Sequence, residues 1–404
     1  LINQSIVPFQ KGYKTLVALA ISILAAAIIS SNFPSEAQYY KAADEGNYFR
    51  QGKLLADHGW AGFQMITDDY LQNKELQDAP NPFRIGANCL VALALTFNES
   101  YNAISCVCLI AFIIFLLGSY HFFSKHWGSN FALISLALLA FSPLEMALSK
   151  RALMDIPAMT ALAFSCFAFW NWVESGRRKP YIAFILLSVA SILLKEMNVI
   201  FLVFFAIAAA YFVFSGYRSL SILKVIGAIA SPAIVVGGIY LITFGIEDGK
   251  RLFETMYQAV SHSRYSAVYG QGPWYRLLID YLTLSPLTLI LAVAFCGQFL
   301  FNQSKNYMVN YWLMLAVFMI IVFAMLPKNV RYAVFFDLPL RLFAASAILA
   351  ISNRINNQYR QLVTLGLVTL LVLMDITSFH FYFVENNIYD PISNNLLKAN
   401  KIVP

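Results

Sequence analysis

Lys11-Gly12-Tyr13-Lys14 followed by TLVALAISILAAAII (Thr15–Ile29) is the stretch that decides the fold. Two cations lead into an apolar run with no charge in it. A cleaved signal peptide has a shorter apolar core and a small-residue cleavage site after it. The run is therefore expected to be a retained transmembrane helix with its N-terminal flank in the cytoplasm. Similar runs recur near 102–122, 129–147, 153–173, 180–194, 197–215, 220–244, 276–300, 307–326, 332–351 and 361–382. With the first they make eleven. A span needs about 20 apolar residues. The run at 85–98, after Pro80-Asn81-Pro82, is too short and is expected to lie at the interface or re-enter the membrane.

Composition agrees. Of 404 residues, 59% are hydrophobic and 12% charged, against about 45–50% and about 25% in soluble domains. This excludes a soluble globular enzyme, a disordered chain and a disulfide-stapled secreted domain. The expected architecture is all-α, a polytopic bundle of about eleven transmembrane helices forming one domain over 1–404. The net charge of +7 needs no nucleic acid to explain it, because positive residues collect on cytoplasmic loops. With eleven spans the cytoplasmic segments hold Lys11, Lys14, Lys125, Arg177, Arg178, Lys179, Arg218, Lys224, Lys305, Arg354 and Arg360, against the single acid Glu174. Acids are then in excess outside. The five cysteines lie in apolar stretches without CxxC spacing, so neither a zinc site nor a disulfide framework is indicated.

Two long segments stand out. One, about 34–84, is expected to be an external first loop with juxtamembrane helices, including a helical stretch from Asp44 to His58. The other, 245–275, is expected to be an external flap. Loops of such length are uncommon unless functional.

Five clusters could carry chemistry. Asp44-Glu45 follows the first span; paired acids supply a base and a partner that orients substrate, though acids also simply suit a helix N-terminus. Lys150-Arg151 with Asp155 lies at span ends, where Arg and Asp four apart could just pair. Lys195-Glu196 separates two apolar runs with almost no loop; a snorkelling lysine is the plainer account. The flap holds His262, Arg264, Tyr265, Tyr269 and Gly272-Pro273-Trp274-Tyr275, which fit a mobile cover or an interfacial aromatic belt. Lys328, Arg331 and Tyr332 form a short external turn; Arg331 can fork onto a phosphate with Lys328 adding charge. Asp337 and Arg341 most simply pair, and Pro339 between them is expected to kink their helix. The charge-based topology puts all five clusters on one side of the membrane. No metal site is indicated.

In this order the motifs resemble the GT-C superfamily of membrane glycosyltransferases, in the branch of the protein O-mannosyltransferases and lipid A aminoarabinose transferases (glycosyltransferase family 39-like). The stretches that carry the resemblance are Asp44-Glu45, Ser142-Pro143 leading to Arg151 and Asp155, Lys195-Glu196, Gly272-Pro273-Trp274-Tyr275 leading to Ser285-Pro286, and Lys328 to Tyr332. Asn81-Pro82-Phe83-Arg84 stands where that family usually has a Pro-Pro-Leu run. The resemblance implies inverting transfer of one sugar from a polyprenyl-phosphate donor to a lipid, glycan or protein acceptor on the external, periplasmic face of a bacterial membrane. Asp44 would be the base, with Glu45 helping to hold acceptor or sugar. Arg331, Lys195 and either Arg264 or His262 would bind the carrier phosphate. No further cofactor is implied. The competing readings are a transporter or lipid flippase, whose charges would line a midplane path, and an acyltransferase using His262.

Overall fold

The computed structural model describes residues 8–77, 80–217, 221–262, 273–302, 305–326 and 329–402, without the side chains of 8–11, 260–262 and 393. Among these residues every regular element is helical. In chain order they are α1 (Pro8–Ser31), α2 (Asp44–His58), α3 (Ala61–Gln72), α4 (Ile85–Phe97), α5 (Tyr101–Trp127), α6 (Ser129–Ala140), α7 (Pro143–Ser149), α8 (Asp155–Ser175), α9 (Arg178–Leu194), α10 (Phe201–Phe214), α11 (Ile222–His262), α12 (Arg276–Leu284), α13 (Pro286–Phe301), α14 (Tyr307–Met325), α15 (Asp337–Ser352), α16 (Asn357–Phe379) and α17 (Ser393–Ala399). Short 3-10 turns cover Glu196–Ile200 and Val330–Phe336.

The exterior is apolar. Phe97, Phe214 and Phe301 are 83%, 88% and 89% exposed, which suits lipid and not water. Among the described residues eight helices are long and apolar enough to cross a membrane, or nine if α6 and α7, bent by 60° at their junction, count as one. The expected eleven are not reached. The stretch 180–194 folds as the 17-residue α9, ended by Lys195, and 276–300 breaks at Ser285-Pro286 into α12 and the 16-residue α13. Proline lacks the N–H that a continuous helix needs and fits instead at a first helical position. The stretch 85–98 is the 13-residue α4. The segment 245–275 is not wholly loop, since α11 continues to His262 after a break at Gly245, where φ is +70°. Pro339 falls in the first turn of α15, where proline is tolerated.

The chain divides into two compact units. The first comprises Leu1–Asn32, Phe112–Ala147 and Pro273–Pro404. Its central helix is α15, which packs on α6, α13, α14 and α16. Alanines make this possible: Ala344 and Ala345 have no exposed surface, and small residues let helices approach closely where lipid gives no hydrophobic drive. Arg341, also fully buried, ties the unit together. Its Nε donates to Asp337, the expected i,i+4 pair, at 3.2 Å; Nη1 donates to Thr288 Oγ1 at 3.1 Å and also to Asp375; Nη2 donates to Ser285 Oγ at 2.9 Å. One guanidinium thus links α15 to the start of α13 and to α16.

The second unit comprises Phe33–Ala111 and Leu148–Gly272. Helices α8 and α9 form an antiparallel hairpin, sealed by the Ser165–Ser188 hydroxyl pair at 2.6 Å and by Phe169 against Phe184. Helices α2 and α4 pack closely because Gly52 has no side chain: a Cβ there would sit 2.3 Å from Val91 Cγ1. Phe63, Ile66, Phe83 and Leu252 fill the space between α2, α3 and α11.

Replacing Arg341 by Leu leaves Asp337 and Asp375 buried without their cation. Breaking one side of such a cluster typically costs about 3–5 kcal/mol. The variant should lose most of the thermal stability of the detergent-solubilised protein, and a melting temperature near that of the parent would refute the linking role.

Candidate functional site

The site is built in the second unit, starting at the first turn of α2. Ala43 is extended, and Asp44 and Glu45 occupy the first helical positions. Acids there face the positive end of the helix dipole. Their fates differ. Asp44 is half-buried, while Glu45 has no exposed surface. Glu45 Oε2 accepts from the backbone N–H of Tyr40 at 2.8 Å and from Arg151 Nη2 at 3.0 Å. Its Oε1 accepts from the backbone N–H of Ala152 at 3.1 Å and lies 3.0 Å from Arg151 Nε. Gly46 lets the turn before the helix close on it, since a Cβ there would sit 1.8 Å from the carbonyl oxygen of Lys41. The Arg151 guanidinium in turn lies against two rings, 5.8 Å from the centroid of Tyr39 and 5.1 Å from that of Tyr40. Tyr39 is pinned by its hydroxyl to Asn102 and Ser105.

Arg151 belongs to the link between α7 and α8. Asp155 begins α8 and Lys195 ends α9, so the hairpin returns Lys195 to the level of Asp155. Lys195 Nζ donates to Asp155 Oδ1 at 2.5 Å. The extended backbone at Lys195 (φ −152°, ψ 105°) then turns the chain into Glu196. Glu196 accepts two bonds from Arg84, from Nε at 2.6 Å and Nη2 at 3.0 Å, and a third from Asn81 Nδ2 at 2.9 Å. Such bidentate, charge-assisted pairs are among the stronger polar contacts and fix geometry. The remaining Arg84 nitrogen, Nη1, donates to the Tyr48 hydroxyl at 2.6 Å. Tyr48 sits one turn after Asp44, on the same face of α2. Its hydroxyl pKa is raised, mainly by burial, with the charges of Asp155 and Asp44 adding to the rise and Arg84 opposing it. Tyr48 therefore stays neutral, and the two acids lie close enough for their fields to reach it.

Lys150 is also buried in this region. Burial, and then the charge of Arg151, pull its ammonium pKa down to about 8, against the opposing field of Glu45. Four cations (Arg84, Lys150, Arg151, Lys195) and four carboxylates (Asp44, Glu45, Asp155, Glu196) are thereby assembled from four separate parts of the sequence. Among the described residues no group of three or more His, Cys, Asp and Glu side chains could hold a metal ion.

Three of the five sequence clusters are thus brought together. Arg331 and Tyr332 lie in the first unit. Arg331 is buried, with its guanidinium 5.8 Å from the ring centroids of both Tyr332 and Tyr389 and Nη1 3.9 Å from Asp390 Oδ1. Arg264, Tyr269, Lys328 and the side chain of His262 lie outside the described residues. Sequence reasoning passed over Arg84, Tyr48 and Asn81. The signals were there: Tyr48 is four residues after Asp44, and Asn81–Arg84 is the segment that departs from the Pro-Pro-Leu pattern.

Residues 86–242 match the family model described as dolichyl-phosphate-mannose-protein mannosyltransferase. That range holds Arg151, Asp155, Lys195 and Glu196. The chain is also similar to the crystal structure of the Archaeoglobus fulgidus oligosaccharyltransferase in complex with zinc and sulfate, with TM-score 0.60 and 13% identity over 89% of this chain and 52% of that one. ArnT from Cupriavidus metallidurans bound to undecaprenyl phosphate gives TM-score 0.58 and 10% identity over 95% of this chain and 74% of that one. The chain therefore spans about half the length of the oligosaccharyltransferase. No curated protein sequence gives a significant match. At these identities the structural likeness speaks for the fold. With the signature of the mannosyltransferase family over residues 86–242 and an architecture like that of ArnT and the archaeal oligosaccharyltransferase, the resemblance to the GT-C membrane glycosyltransferases is borne out.

Proposed function

We propose that this protein transfers one sugar, with inversion, from a polyprenyl-phosphate donor to a lipid, glycan or protein acceptor at the external face of a bacterial membrane. The observation that carries the reading is the difference between two adjacent acids. Glu45 is fully buried with both oxygens engaged, while its neighbour Asp44 is half-buried at the edge of a field of fixed cations. Glu45 is the positioning residue that locks the first turn of α2, and Asp44 is the base.

In the reaction the acceptor hydroxyl oxygen attacks C1 of the sugar. Asp44 takes the hydroxyl proton, the bond from C1 to the phosphate oxygen breaks, and its electron pair leaves with the polyprenyl phosphate. The phosphate is a good leaving group, so the main requirement is to stabilise its growing charge. Fixed cations in a water-poor site do this without reorganisation. Lys195 and Arg151 are the candidates in the second unit, with Lys150 adding charge below pH 8; Arg331 in the first unit is a further candidate. Arg84, Tyr48 and Asp155 hold Glu196 and Lys195 in register. A prenyl tail stays in the bilayer, which is why such chemistry suits a membrane-embedded fold. ArnT was crystallised with undecaprenyl phosphate, and the archaeal oligosaccharyltransferase with a tethered acceptor peptide containing the NVT sequon. A donor and an acceptor of these two classes are consistent with the charges described.

The α8–α9 hairpin supports the sidedness. Its turn carries Arg177, Arg178 and Lys179, and its open end carries Asp155 and Lys195. The positive-inside rule assigns the turn to the cytoplasm, so the open end faces outward.

Replacing Asp44 by Asn should cut turnover of a purified polyprenyl-phosphate sugar by about 10²–10⁴-fold, the usual contribution of a general base, with the melting temperature unchanged. Full activity in that variant would remove Asp44 as the base.

Lys150 gives an independent check through pH. An unperturbed lysine releases its proton near 10.4, and Lys150 does so near 8. Between these values the unfolded chain binds the proton and the folded chain does not, so stability rises with pH across that window. Below pH 8 both states are protonated and the buried charge is destabilising in full. The melting temperature of the parent should climb between pH 8 and about 10.5 relative to Lys150→Met; parallel profiles would show that Lys150 does not titrate there.

A further inference from the structure

The segment after α16 folds back onto the turn that bears Arg331. The backbone N–H of Val330 donates to the carbonyl of Pro391 at 3.4 Å. Ile392 and Leu396 are buried behind it. This brings Tyr389 and Asp390 to Arg331. Asn329 is the hub: its Oδ1 accepts the backbone N–H of Arg331 at 3.0 Å, and its Nδ2 donates to Asp390 Oδ1 at 2.9 Å. The guanidinium is flanked by two tyrosine rings and faces a carboxylate that stays 3.9 Å away. That is ion-pair range and longer than a hydrogen bond. The exposure of the pair is uneven, 6% for the Arg331 side chain and 25% for that of Asp390. Asp390 is held by Asn329 more closely than by the cation it neutralises.

Arginine recognises carboxylate and phosphate with the same planar fork. A carboxylate near a buried guanidinium at less than ideal range, and itself the more exposed of the two, has the character of a resident counter-ion. We propose that Asp390 is an internal stand-in for the carrier phosphate at Arg331: it partners the guanidinium when no lipid phosphate is bound, and a phosphate group replaces it in that role. The inference rests on the reading of Arg331 as a phosphate ligand and adds a residue, from a segment without any motif, that tunes how tightly the carrier is held. Neutralising the carboxylate raises the positive potential at Arg331 and removes a competitor.

The test is binding of undecaprenyl phosphate to the full-length protein in detergent, followed by thermal shift and titration. Asp390→Asn keeps the size of the side chain and should bind about 3–10-fold more tightly than the parent, the size expected for removing one like charge a few ångströms away in a partly exposed site. Asp390→Ser should do the same if the first variant proves unstable, and Asp390→Glu, which keeps the charge, should not tighten binding. Unchanged or weaker binding in both Asp390→Asn and Asp390→Ser, with Arg331→Gln clearly weakened, would overturn the stand-in role and leave Arg331 as a phosphate ligand. Binding in Arg331→Gln equal to that of the parent would overturn the reading of Arg331 itself, and the inference with it.

Discussion

A carboxylate with no exposed surface has to be matched, and the match at Glu45 organises the second unit. Isolated burial of an ionised carboxylate is prohibitively unfavourable. Here the cost is offset by Arg151 and by two backbone N–H groups from different parts of the chain, Tyr40 and Ala152. That single group therefore fixes the turn before α2, the first turn of α2 and the link before α8 at once. Asp44 inherits its position from this arrangement, because it is the residue next door on the same helical turn.

Buried charge has a second use in the first unit. Arg341 and its two aspartates join three helices in the interior and are fully enclosed. Arg331 is different, flanked by aromatic rings and a partly exposed acid. Full enclosure with all-round hydrogen bonding suits a structural tie. At Arg331 the acid partner is the more exposed of the two.

Much of this was legible in the sequence, for definite reasons. Apolar runs report membrane helices directly, so the described part of each expected run is built of helix, some of it broken. The bias of positive charge towards the cytoplasm puts all five clusters on one face, and the structure gathers three of them, Asp44-Glu45, Arg151-Asp155 and Lys195-Glu196, in the second unit. The i,i+4 spacing of Asp337 and Arg341 forecast their pairing. The number of spans was not legible, because a hydropathy run does not show where a helix breaks: Ser285-Pro286 divides one run, and Lys195 ends another at 17 residues. Arg84 and Asp390 were missed because their partners, Glu196 and Arg331, are far away in sequence; Arg84 stands in the segment that departs from the family pattern, and Asp390 stands in no motif. Long-range pairing is what a single sequence hides most completely.

The break at Gly245 also sets a level. Helix α11 has no charged residue between Val225 and Phe244, and then Glu247, Asp248, Lys250, Arg251 and Glu254 follow within a few turns. On this second stretch Leu252 is fully buried, while Phe253 and Tyr257 are exposed. Charged and aromatic residues on one short helix favour the boundary between headgroups and acyl chains. Gly245 thus divides the helix by solvent: the uncharged stretch before it has the composition for acyl chains, and the charged, aromatic stretch after it has the composition for the headgroup level.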